Sequence, residues 1–332
     1  MEKVQILKKR AQIIRALRNF FENRDFLEIS TPLLVPNPGL EPHLEYFETE
    51  FRTHFDKKVP TRRLFLPTSP EYHLKRALGE WSLPKIFEIT KSFRNGETGT
   101  KHEPEFSMVE WYRSPGTYKE IAKDVEDLFL ELGQDFSNEP KAWKNFKHTT
   151  VCEAYKEFAD LDLKAALGED PSLFAKRALL AGIQGIKPTD SFDTVFHLVM
   201  VSLIEPQLGL EGPEFLWDYP KAFAALARKK PEDPNFCERF EVYWRGVELA
   251  NAFGELTSSE EQRLRCREDQ KERLGLYPNQ TPPPLDEAFL ASLGRLPSEV
   301  GGIALGLDRL IQVLLGLPTL QDVIAFPHLN SV

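Results

Sequence analysis

Residues 87–113 place several charged side chains on and between two short runs of alternating apolar residues. The runs are 87–89 and 106–112, and the polar stretch between them contains two glycines. This pattern predicts a strand, a long loop and a returning antiparallel strand. Arg94 ends the first strand, where its planar guanidinium offers several fixed donors to phosphate oxygens. A solvated hairpin with salt bridges across it is the structural alternative.

A second arginine follows a glycine-rich strand in residues 300–317. The glycines, including Gly306, allow another group to approach the backbone closely. Arg309 lies in the first turn of an otherwise apolar helix, where the helix dipole disfavours a cation. An anionic ligand would remove that conflict, and so would a buried carboxylate partner such as Asp308.

Two other stretches of the sequence carry candidate carboxylates. Glu248 and Glu255 follow a strand that stops at Gly246, and acids of this kind can hold magnesium, a hard cation that prefers oxygen ligands. Ser69 is predicted to cap a helix whose first turn contains Glu71, where a carboxylate is favoured by the dipole. Glu71 is then either a capping acid or a ligand contact.

These parts together suit a site that joins ATP to a carboxylate. Guanidinium groups would bind the triphosphate and the charge that develops at the α-phosphorus. The chain contains neither the P-loop pattern nor the Rossmann glycine pattern, so the common nucleotide folds are disfavoured.

The elements that must position these residues alternate between helix and strand. Helices are predicted for 4–21, 117–132, 163–182, 191–205 and 257–275, and strands for 26–29, 214–219, 240–244 and from Val247 onward. No internal repeat or break in composition requires a second domain. We therefore expect one domain over residues 1–332, with a helical insertion near 136–210.

Composition limits the class of protein. The 332 residues carry a net charge of −9, and the basic runs at 8–10 and 228–230 are most simply solvated helix faces. No apolar run approaches the roughly 20 residues that a membrane helix needs, and the N-terminus has no signal-peptide core. The three cysteines are far apart in sequence, which favours reduced, structural thiols. We expect a cytoplasmic protein without a membrane partner.

Three stretches resemble the motifs of class II aminoacyl-tRNA synthetases, most closely the lysyl branch. Residues 93–113 resemble motif 2, 302–309 resemble motif 3, and 246–256 resemble the lysyl-type segment between them. The first helix, its following strand and Pro32 resemble motif 1, which forms much of the dimer interface in that family. The resemblance covers nearly the whole chain. It implies an α+β class II catalytic core, an antiparallel β-sheet flanked by helices, and a homodimer.

Motif 1 begins almost at Met1, so we expect no anticodon-binding domain, and tRNA is a disfavoured partner. A free-standing lysyl-type core of this length resembles the elongation factor P β-lysine ligase family. That family activates (R)-β-lysine with ATP and transfers it to a lysine side chain of elongation factor P. Ala304 supports this resemblance, because lysyl synthetases usually have glycine there. Its methyl group would reshape the amino-acid pocket to suit a shifted amino group.

The resemblance implies a role for each matching residue. ATP would be bound by Arg94, Asn95, Gly96, Glu103, Glu248, Leu249, Gly306 and Arg309, with Arg94 and Arg309 acting catalytically on the phosphates. The amino acid would be bound by Ser69, Pro70, Glu71, Glu110, Tyr112, Glu255 and Ala304. Magnesium would be held by Glu248 and Glu255. Gly96 and Glu103 depart from the family pattern, in the part of the motif 2 loop that contacts adenine.

Two other functions are compatible with the same motifs. One is a lysine-activating paralogue with a different acceptor, such as tRNA. The other is a catalytically silent synthetase-like regulator or binding module, although such proteins commonly lose the arginines and acids that this chain keeps.

Overall fold

The computed structural model describes residues 1–54, 59–99, 101–167 and 170–328. The chain forms two compact units. The first unit comprises Met1–Ile121 and Leu256–Val332, and the second comprises Ala122–Glu255. The helical segment predicted near 136–210 lies within the second unit, and the single-domain interpretation stays a prediction. Residues 168–169 of one predicted helix and residue 100 of the predicted hairpin loop lie outside the described residues.

The first unit begins with a long helix and contains most of the predicted motifs. Its helices are α1 Lys3–Glu22, α2 Glu71–Trp81, the start of α3 Tyr118–Phe136, α8 Ser259–Leu276, α9 Glu287–Leu293 and α10 Leu307–Leu314. Its strands are β1 Leu27–Glu28, β2 Glu48–Phe51, β3 Arg62–Phe65, β4 Lys85–Phe93, β5 Glu105–Arg113 and β10 Gly301–Gly306. The predicted hairpin is β4 and β5, which pair in antiparallel fashion over nine residues each.

Four strands of the first unit lie in the order β1, β4, β5 and β10. The last two pairs are antiparallel, and β1 runs parallel to β4 at the edge. The predicted class of fold is confirmed, and the parallel edge pair is a detail that the motifs did not indicate. Strands β2 and β3 form a separate antiparallel pair.

Side chains alternate along β4 and β5, so the two faces of the hairpin carry different residues. Phe87 and Trp111 are cross-strand partners and lie on one face. Phe21 of α1 stacks on Phe87 with ring centroids 4.7 Å apart and lies 5.1 Å from Trp111. All three side chains are fully buried, so the apolar stripe of α1 covers this face. The opposite face carries Glu88 of β4 and, directly across from it, Glu110 of β5.

The second unit contains the helical insertion and a second set of strands. Its helices are the remainder of α3, α4 Val151–Ala159, α5 Leu163–Ala166, α6 Pro171–Leu180 and α7 Phe192–Val199, the last continued by a π turn at Met200–Ile204. Its strands are β6 Lys147–Thr150, β7 Glu214–Trp217, β8 Arg239–Trp244 and β9 Val247–Gly254. They lie in the order β9, β8, β7 and β6, with only the pair of β6 and β7 parallel.

A core of its own stabilises the second unit. Tyr155 of α4 is fully buried and stacks on Phe196 of α7, with centroids 5.1 Å apart. Its hydroxyl also donates to the Phe196 carbonyl at 2.7 Å, which satisfies the one polar atom of a buried ring. The three cysteines are free, as expected. Among the described residues, no helix combines the length and the apolar character required to cross a bilayer.

Gly79 allows α2 and α9 to pack closely in the first unit. A methyl group at Gly79 would lie 2.4 Å from the Ser292 backbone carbonyl oxygen of α9. Tyr72 of α2 also stacks on Phe289 of α9 at a centroid distance of 4.0 Å. We expect Gly79→Ala to lower the free energy of unfolding by about 1–3 kcal/mol in urea titrations, because the overpacked helices must separate.

Gly275, in the last turn of α8, is the matched control. A methyl group at Gly275 meets no atom within 4 Å. Gly275→Ala should therefore be neutral or stabilising by a few tenths of a kcal/mol, through the greater helix propensity of alanine. Equal effects of the two substitutions would contradict the packing explanation.

Candidate active site

A row of three residues crosses the polar face of the first unit's strands. Glu88 of β4 lies directly opposite Glu110 of β5, and Ala304 of β10 lies opposite Glu110 on the other side. Glu88 and Glu110 are 3% and 1% exposed. Two buried carboxylates are therefore cross-strand neighbours, with the methyl group of Ala304 beside them.

Glu110 is held in a position where its charge is costly. Tyr112 lies two residues along β5, on the same face, and its hydroxyl donates to Glu110 Oε2 at 3.0 Å. Glu110 Oε1 is buried and accepts no hydrogen bond from the described residues. Burial, followed by the charges of Glu71 and Glu88, raises the pKa of Glu110 well above its usual value. A cation at this position would meet an unsatisfied acceptor.

Glu88 is anchored by the backbone next to Pro32. Its Oε1 accepts from the Thr31 N–H at 2.8 Å, whereas Oε2 is buried without a hydrogen-bond partner among the described residues. Burial raises the pKa of Glu88. Glu88, the strand partner of Glu110, is thus a second carboxylate with one oxygen that can still accept a hydrogen bond.

The helix that contains Glu71 starts one residue later than predicted. Pro70 is the N-cap residue rather than the first residue of the helix, and α2 begins at Glu71. The Ser69 hydroxyl still accepts from the Glu71 N–H, at 3.4 Å. Glu71 Oε1 is 2.6 Å from the ammonium of Lys75, one turn along the helix, and Lys75 is only 1% exposed. An internal cation thereby engages the Glu71 carboxylate.

Arg94 continues from β4 into the hairpin loop. Its backbone N–H donates to the Pro104 carbonyl at 2.9 Å, and its guanidinium lies 5.2 Å from the Phe106 ring centroid. Glu97 is 3.8 Å away, and the side chain keeps about a third of its surface exposed. The guanidinium is therefore fixed by stacking while its outer nitrogens remain accessible to an anion.

The two residues after Arg94 are placed by the backbone. The Asn95 N–H donates to the Glu45 carbonyl at 3.0 Å. Gly96 has a φ of +78°, and a methyl group there would meet nothing within 4 Å. The departure from glutamate at Gly96 thus accommodates a left-handed turn of the loop.

Arg309 lies in the first turn of α10, as predicted, after Gly306. Its Nη2 is 3.0 Å from Nε2 of His102, so this ring nitrogen is the acceptor and the imidazole is neutral. Burial, together with the charge of Arg309, lowers the pKa of His102. The carboxylate of Asp308 instead pairs with Arg10 at 2.6 Å and accepts from the Ser107 N–H at 2.7 Å.

Glu103 ties the hairpin loop to the C-terminal segment. It is 2% exposed, and its two oxygens accept from the Gln321 side chain at 3.2 Å and from the His328 N–H at 2.9 Å. Its carboxylate is therefore occupied by protein donors in this structure. Contact between Glu103 and ATP stays a prediction.

A β-bulge sets the polar face of β9 in the second unit. Val242 pairs with Ala250 and Tyr243 pairs with Glu248, so Leu249 has no cross-strand partner. The extra residue shifts the alternation of side chains between the two faces of the sheet by one position. Glu248 consequently lies on the same face as Asn251. The predicted ATP contact Leu249 is the bulged residue and is buried.

Glu241 of β8 lies on this same face. It pairs with Asn251, while its strand neighbour Tyr243 pairs with Glu248, so Glu241 and Glu248 are diagonal neighbours. Tyr219 and Tyr243 donate to Glu241 Oε2 at 2.5 and 2.6 Å. Arg239 donates to Oε1 at 2.5 Å. An ionised carboxylate has about four acceptor positions, so one is left for a metal ion.

Glu255, the other predicted magnesium ligand, follows the end of β9. It is 1% exposed, and its backbone forms a bridge to Ala227. Among the described residues, no group of three or more metal-ligating side chains is present. Magnesium commonly takes one or two protein carboxylates. Glu248 with Glu255 stays a predicted magnesium pair, and Glu241 is a further carboxylate on the face of Glu248.

Comparison with known proteins places the chain in a family. The family model of class II tRNA synthetases (D, K and N) matches residues 2–330. The chain belongs to the class II tRNA synthetase family. This confirms the family that the three motifs predicted.

Three curated relatives of the chain have the same name. Elongation factor P–(R)-β-lysine ligase of Proteus mirabilis (strain HI4320) is 39% identical over 323 residues, which are 97% of this chain and 94% of that protein. The ligase of Avibacterium paragallinarum is 38% identical over 330 residues, covering 99% and 97%. That of Haemophilus influenzae (strain PittGG) is also 38% identical over 330 residues, covering 99% and 96%. The chain thus resembles these ligases over nearly its whole length.

Among the charged residues of this class II synthetase core that sequence reasoning missed are Lys75, Glu88 and Glu241, which are buried, and Glu41, which is partly buried. The strand alternation could have indicated two of them, because Glu88 and Glu241 occupy the positions between apolar residues of β4 and β8. Lys75 lies one helical turn after Glu71, which is the spacing of an ion pair. Glu41 lies in a loop, and no periodic pattern marks it.

The raised pKa of Glu110 predicts a pH-dependent stability of the unliganded protein. Between its ordinary pKa of 4.5 and the raised value, the folded protein keeps a proton that the unfolded chain has released. The free energy of unfolding therefore falls as pH rises, with a limiting slope of about 1.4 kcal/mol per pH unit for one proton. Glu110→Gln should make the slope less steep by this one-proton contribution in urea titrations at pH 5–8, while Glu88 and Glu41, whose pKa values are also raised, keep theirs.

Glu105→Gln provides the control on the same strand. Glu105 is 42% exposed and lies 3.2 Å from Lys91. This substitution should leave the wild-type pH dependence in place. A Glu110→Gln variant with the same slope as wild type would contradict the electrostatic account of Glu110.

Proposed function

We propose that the chain activates (R)-β-lysine with ATP and transfers it to a lysine side chain of elongation factor P, releasing pyrophosphate and AMP. The observation that carries this proposal is the buried pair Glu88 and Glu110 beside Ala304. Buried acids with free oxygens require a cation, and an aminoalkyl side chain ending in an ammonium group supplies one. Membership of the synthetase family and the shared name of its curated relatives support the same reaction.

The first step forms an aminoacyl-adenylate. A carboxylate oxygen of the substrate attacks the α-phosphorus in line, and the bond to the bridging oxygen of pyrophosphate breaks. Arg94 and Arg309 bind the phosphates and stabilise the charge that develops on their oxygens. Stacking on Phe106 holds the Arg94 guanidinium, and the neutral His102 ring holds that of Arg309. Positioning and charge stabilisation suffice, so no side-chain nucleophile is needed.

The amino-acid end is assigned to the polar face of the first unit. Glu110 and Tyr112 contact the ε-ammonium group, and Ser69, Pro70 and Glu71 contact the end that carries the reacting carboxyl. Glu255 stays a predicted contact of the ammonium group. The Ala304 methyl group, opposite Glu110, limits the space in which the chain of the amino acid can lie.

Glu248 and Glu241 of the second unit are assigned to magnesium. Magnesium, when bound, neutralises negative charge on the phosphates. Tyr219, Tyr243 and Arg239 orient the Glu241 carboxylate, as outer residues commonly do for metal ligands. Gly306 and the backbone at Leu249 remain predicted contacts of ATP, together with Asn95, Gly96 and Glu103.

The second step transfers the acyl group to the acceptor. An uncharged amine of the elongation factor P lysine attacks the carbonyl carbon of the adenylate, an amide bond forms, and AMP leaves with the bonding electron pair. The amine gives up a proton in this step. Site residues hold the adenylate and exclude water, which would otherwise hydrolyse it.

A cytoplasmic homodimer is part of the proposal. Three leucines in the stretch that resembles motif 1 are exposed, namely Leu27 at 51%, Leu33 at 40% and Leu34 at 42%. Exposed apolar residues close together on one segment favour an interface with a second copy.

ATP–pyrophosphate exchange with the purified protein tests the proposal. We expect exchange that depends on amino acid and favours (R)-β-lysine over L-lysine, followed by labelling of elongation factor P. Exchange with L-lysine alone would instead indicate a paralogue with another acceptor, such as tRNA. No exchange with either amino acid would contradict the ligase function and favour a silent module.

Ala304→Gly tests the assignment of the pocket. Removing this methyl group should shift the ratio of kcat/KM toward L-lysine by about tenfold, since one methyl group in a pocket is worth roughly 1–3 kcal/mol. Ala252→Gly is the control, because Ala252 is fully buried in β9, opposite Phe240 and away from the polar face. It should lower stability without changing the ratio. An unchanged ratio in Ala304→Gly would contradict the role of the methyl group.

A further inference from the structure

Glu41 is a partly buried acid in the loop that connects β1 to β2, and the mechanism above does not use it. Its Oε2 is buried and accepts no hydrogen bond from the described residues. Burial, together with the charge of Glu71, raises the pKa of Glu41, while Arg94 and Lys75 act in the opposite direction. The carboxylate is therefore close to charged groups that the proposed function assigns to substrate and ATP.

Hydrogen bonds tie the loop around Glu41 to both ends of the proposed site. The Thr68 hydroxyl, next to Ser69, donates to the Pro38 carbonyl at 3.0 Å. The Asn95 N–H, next to Arg94, donates to the Glu45 carbonyl at 3.0 Å. The buried guanidinium of Arg273 donates to the Leu44 carbonyl at 2.5 Å. Glu41 is thereby held between the amino-acid residues and the phosphate-binding arginine.

Gly39 leaves room for the Glu41 carboxylate. Its φ is +114°, which favours glycine, and a methyl group there would lie 2.6 Å from Glu41 Oε2 and 3.2 Å from Thr68 Oγ1. A side chain at this position would displace the carboxylate. The backbone thus leaves space for a carboxylate whose buried Oε2 accepts no hydrogen bond from the described residues.

Three carboxylate oxygens in this region are buried and without hydrogen-bond partners among the described residues, on Glu41, Glu88 and Glu110. Glu88 and Glu110 are cross-strand neighbours and can serve one cation together. Glu71 is already engaged by Lys75. Of these acids, Glu41 is therefore the one available to a second cation. It belongs to the loop that accepts a hydrogen bond from Asn95, the neighbour of Arg94.

We propose that Glu41 binds the amino group nearest the reacting carboxyl of the substrate, and so makes the site selective for a diamino acid. This inference rests on the proposed function. A diamino acid has two ammonium groups, one at the end of its side chain and one near its carboxyl. Glu88 with Glu110 would receive the first, and Glu41 the second. Charge-assisted hydrogen bonds of this kind are strong when both partners are buried.

Glu41→Gln tests this role because it keeps the size of the side chain and removes its charge. We expect the KM for (R)-β-lysine in ATP–pyrophosphate exchange to rise about 10- to 100-fold, with the KM for ATP nearly unchanged. The melting temperature of the unliganded protein should stay the same or rise, because a buried charge without a partner is removed. A purely structural role would lower the melting temperature instead.

The analogue 6-aminohexanoate identifies which amino group is bound. It keeps the carboxyl and the terminal ammonium of β-lysine but lacks the amino group near the carboxyl. As a competitor of exchange, it should bind wild type and Glu41→Gln equally, whereas Glu110→Gln should weaken it. Equal weakening of β-lysine and the analogue by Glu41→Gln would overturn the assignment.

Glu45→Gln is the matched control in the same loop. Glu45 accepts from the Asn95 N–H through its backbone carbonyl, which the substitution leaves unchanged, and its Oε1 accepts from the Gln280 side chain at 3.2 Å. It should leave the KM for β-lysine unchanged. A wild-type protein without exchange activity would contradict the proposed function itself, whereas an active wild type with an unaffected Glu41→Gln variant would contradict only the role of Glu41.

Discussion

Buried carboxylates without sufficient donors are the constraint on which the first unit depends. Glu110 is almost completely inaccessible to solvent, and one of its oxygens accepts no hydrogen bond from the described residues. Such a group costs several kcal/mol unless a cation or a proton compensates it. The protein keeps this cost low with a hydrogen bond from Tyr112 and with a proton whose affinity is raised by burial. A bound ammonium group would compensate the charge more fully, so the same feature that destabilises the empty protein can provide affinity for substrate.

The remaining structure of that unit holds these acids in place. Phe21 of α1 packs on Phe87 and Trp111, and that contact covers the apolar face of the hairpin. The acids are then necessarily on the other face, because side chains alternate along a strand. Arg10 of the same helix pairs with Asp308, which also accepts from the Ser107 backbone. The helix therefore fixes β5 and the start of α10 together, and with them the positions of Glu110 and Arg309.

In the second unit, a single bulged residue has the corresponding effect. Without the bulge at Leu249, Glu248 and Asn251 would lie on opposite faces of β9, because they are an odd number of positions apart. With it, Glu248 comes to the face that also carries Glu241. The strand loses one cross-strand pair, and two carboxylates come to lie on the same face of the sheet. Bulges are commonly found next to active sites for this reason.

The sequence by itself determined the family and the motifs that contain the main arginines, whereas elements such as β6, α4 and α9 were not predicted. Strong alternation predicted β4 and β5, and the helical periodicity predicted α1, because these patterns depend only on neighbours along the chain. The ends of elements were less certain, as the one-residue error at Pro70 illustrates. The motif residues Arg94 and Arg309 were found because their types and local context are informative without a fold.

Only the tertiary structure decided which acids are neighbours and how much each of them is buried. The pairing of Glu88 with Glu110 depends on strand register, and the alignment of Glu241 with Glu248 depends on a bulge; neither is encoded in local spacing. Glu41 lies in a loop with no periodic pattern. Its Oε2 is inaccessible to solvent only in the folded chain, where Pro38 and Glu45 of the same loop accept hydrogen bonds from residues distant in sequence. Electrostatic effects of this kind arise from desolvation and proximity in space, and both are created only when the chain folds.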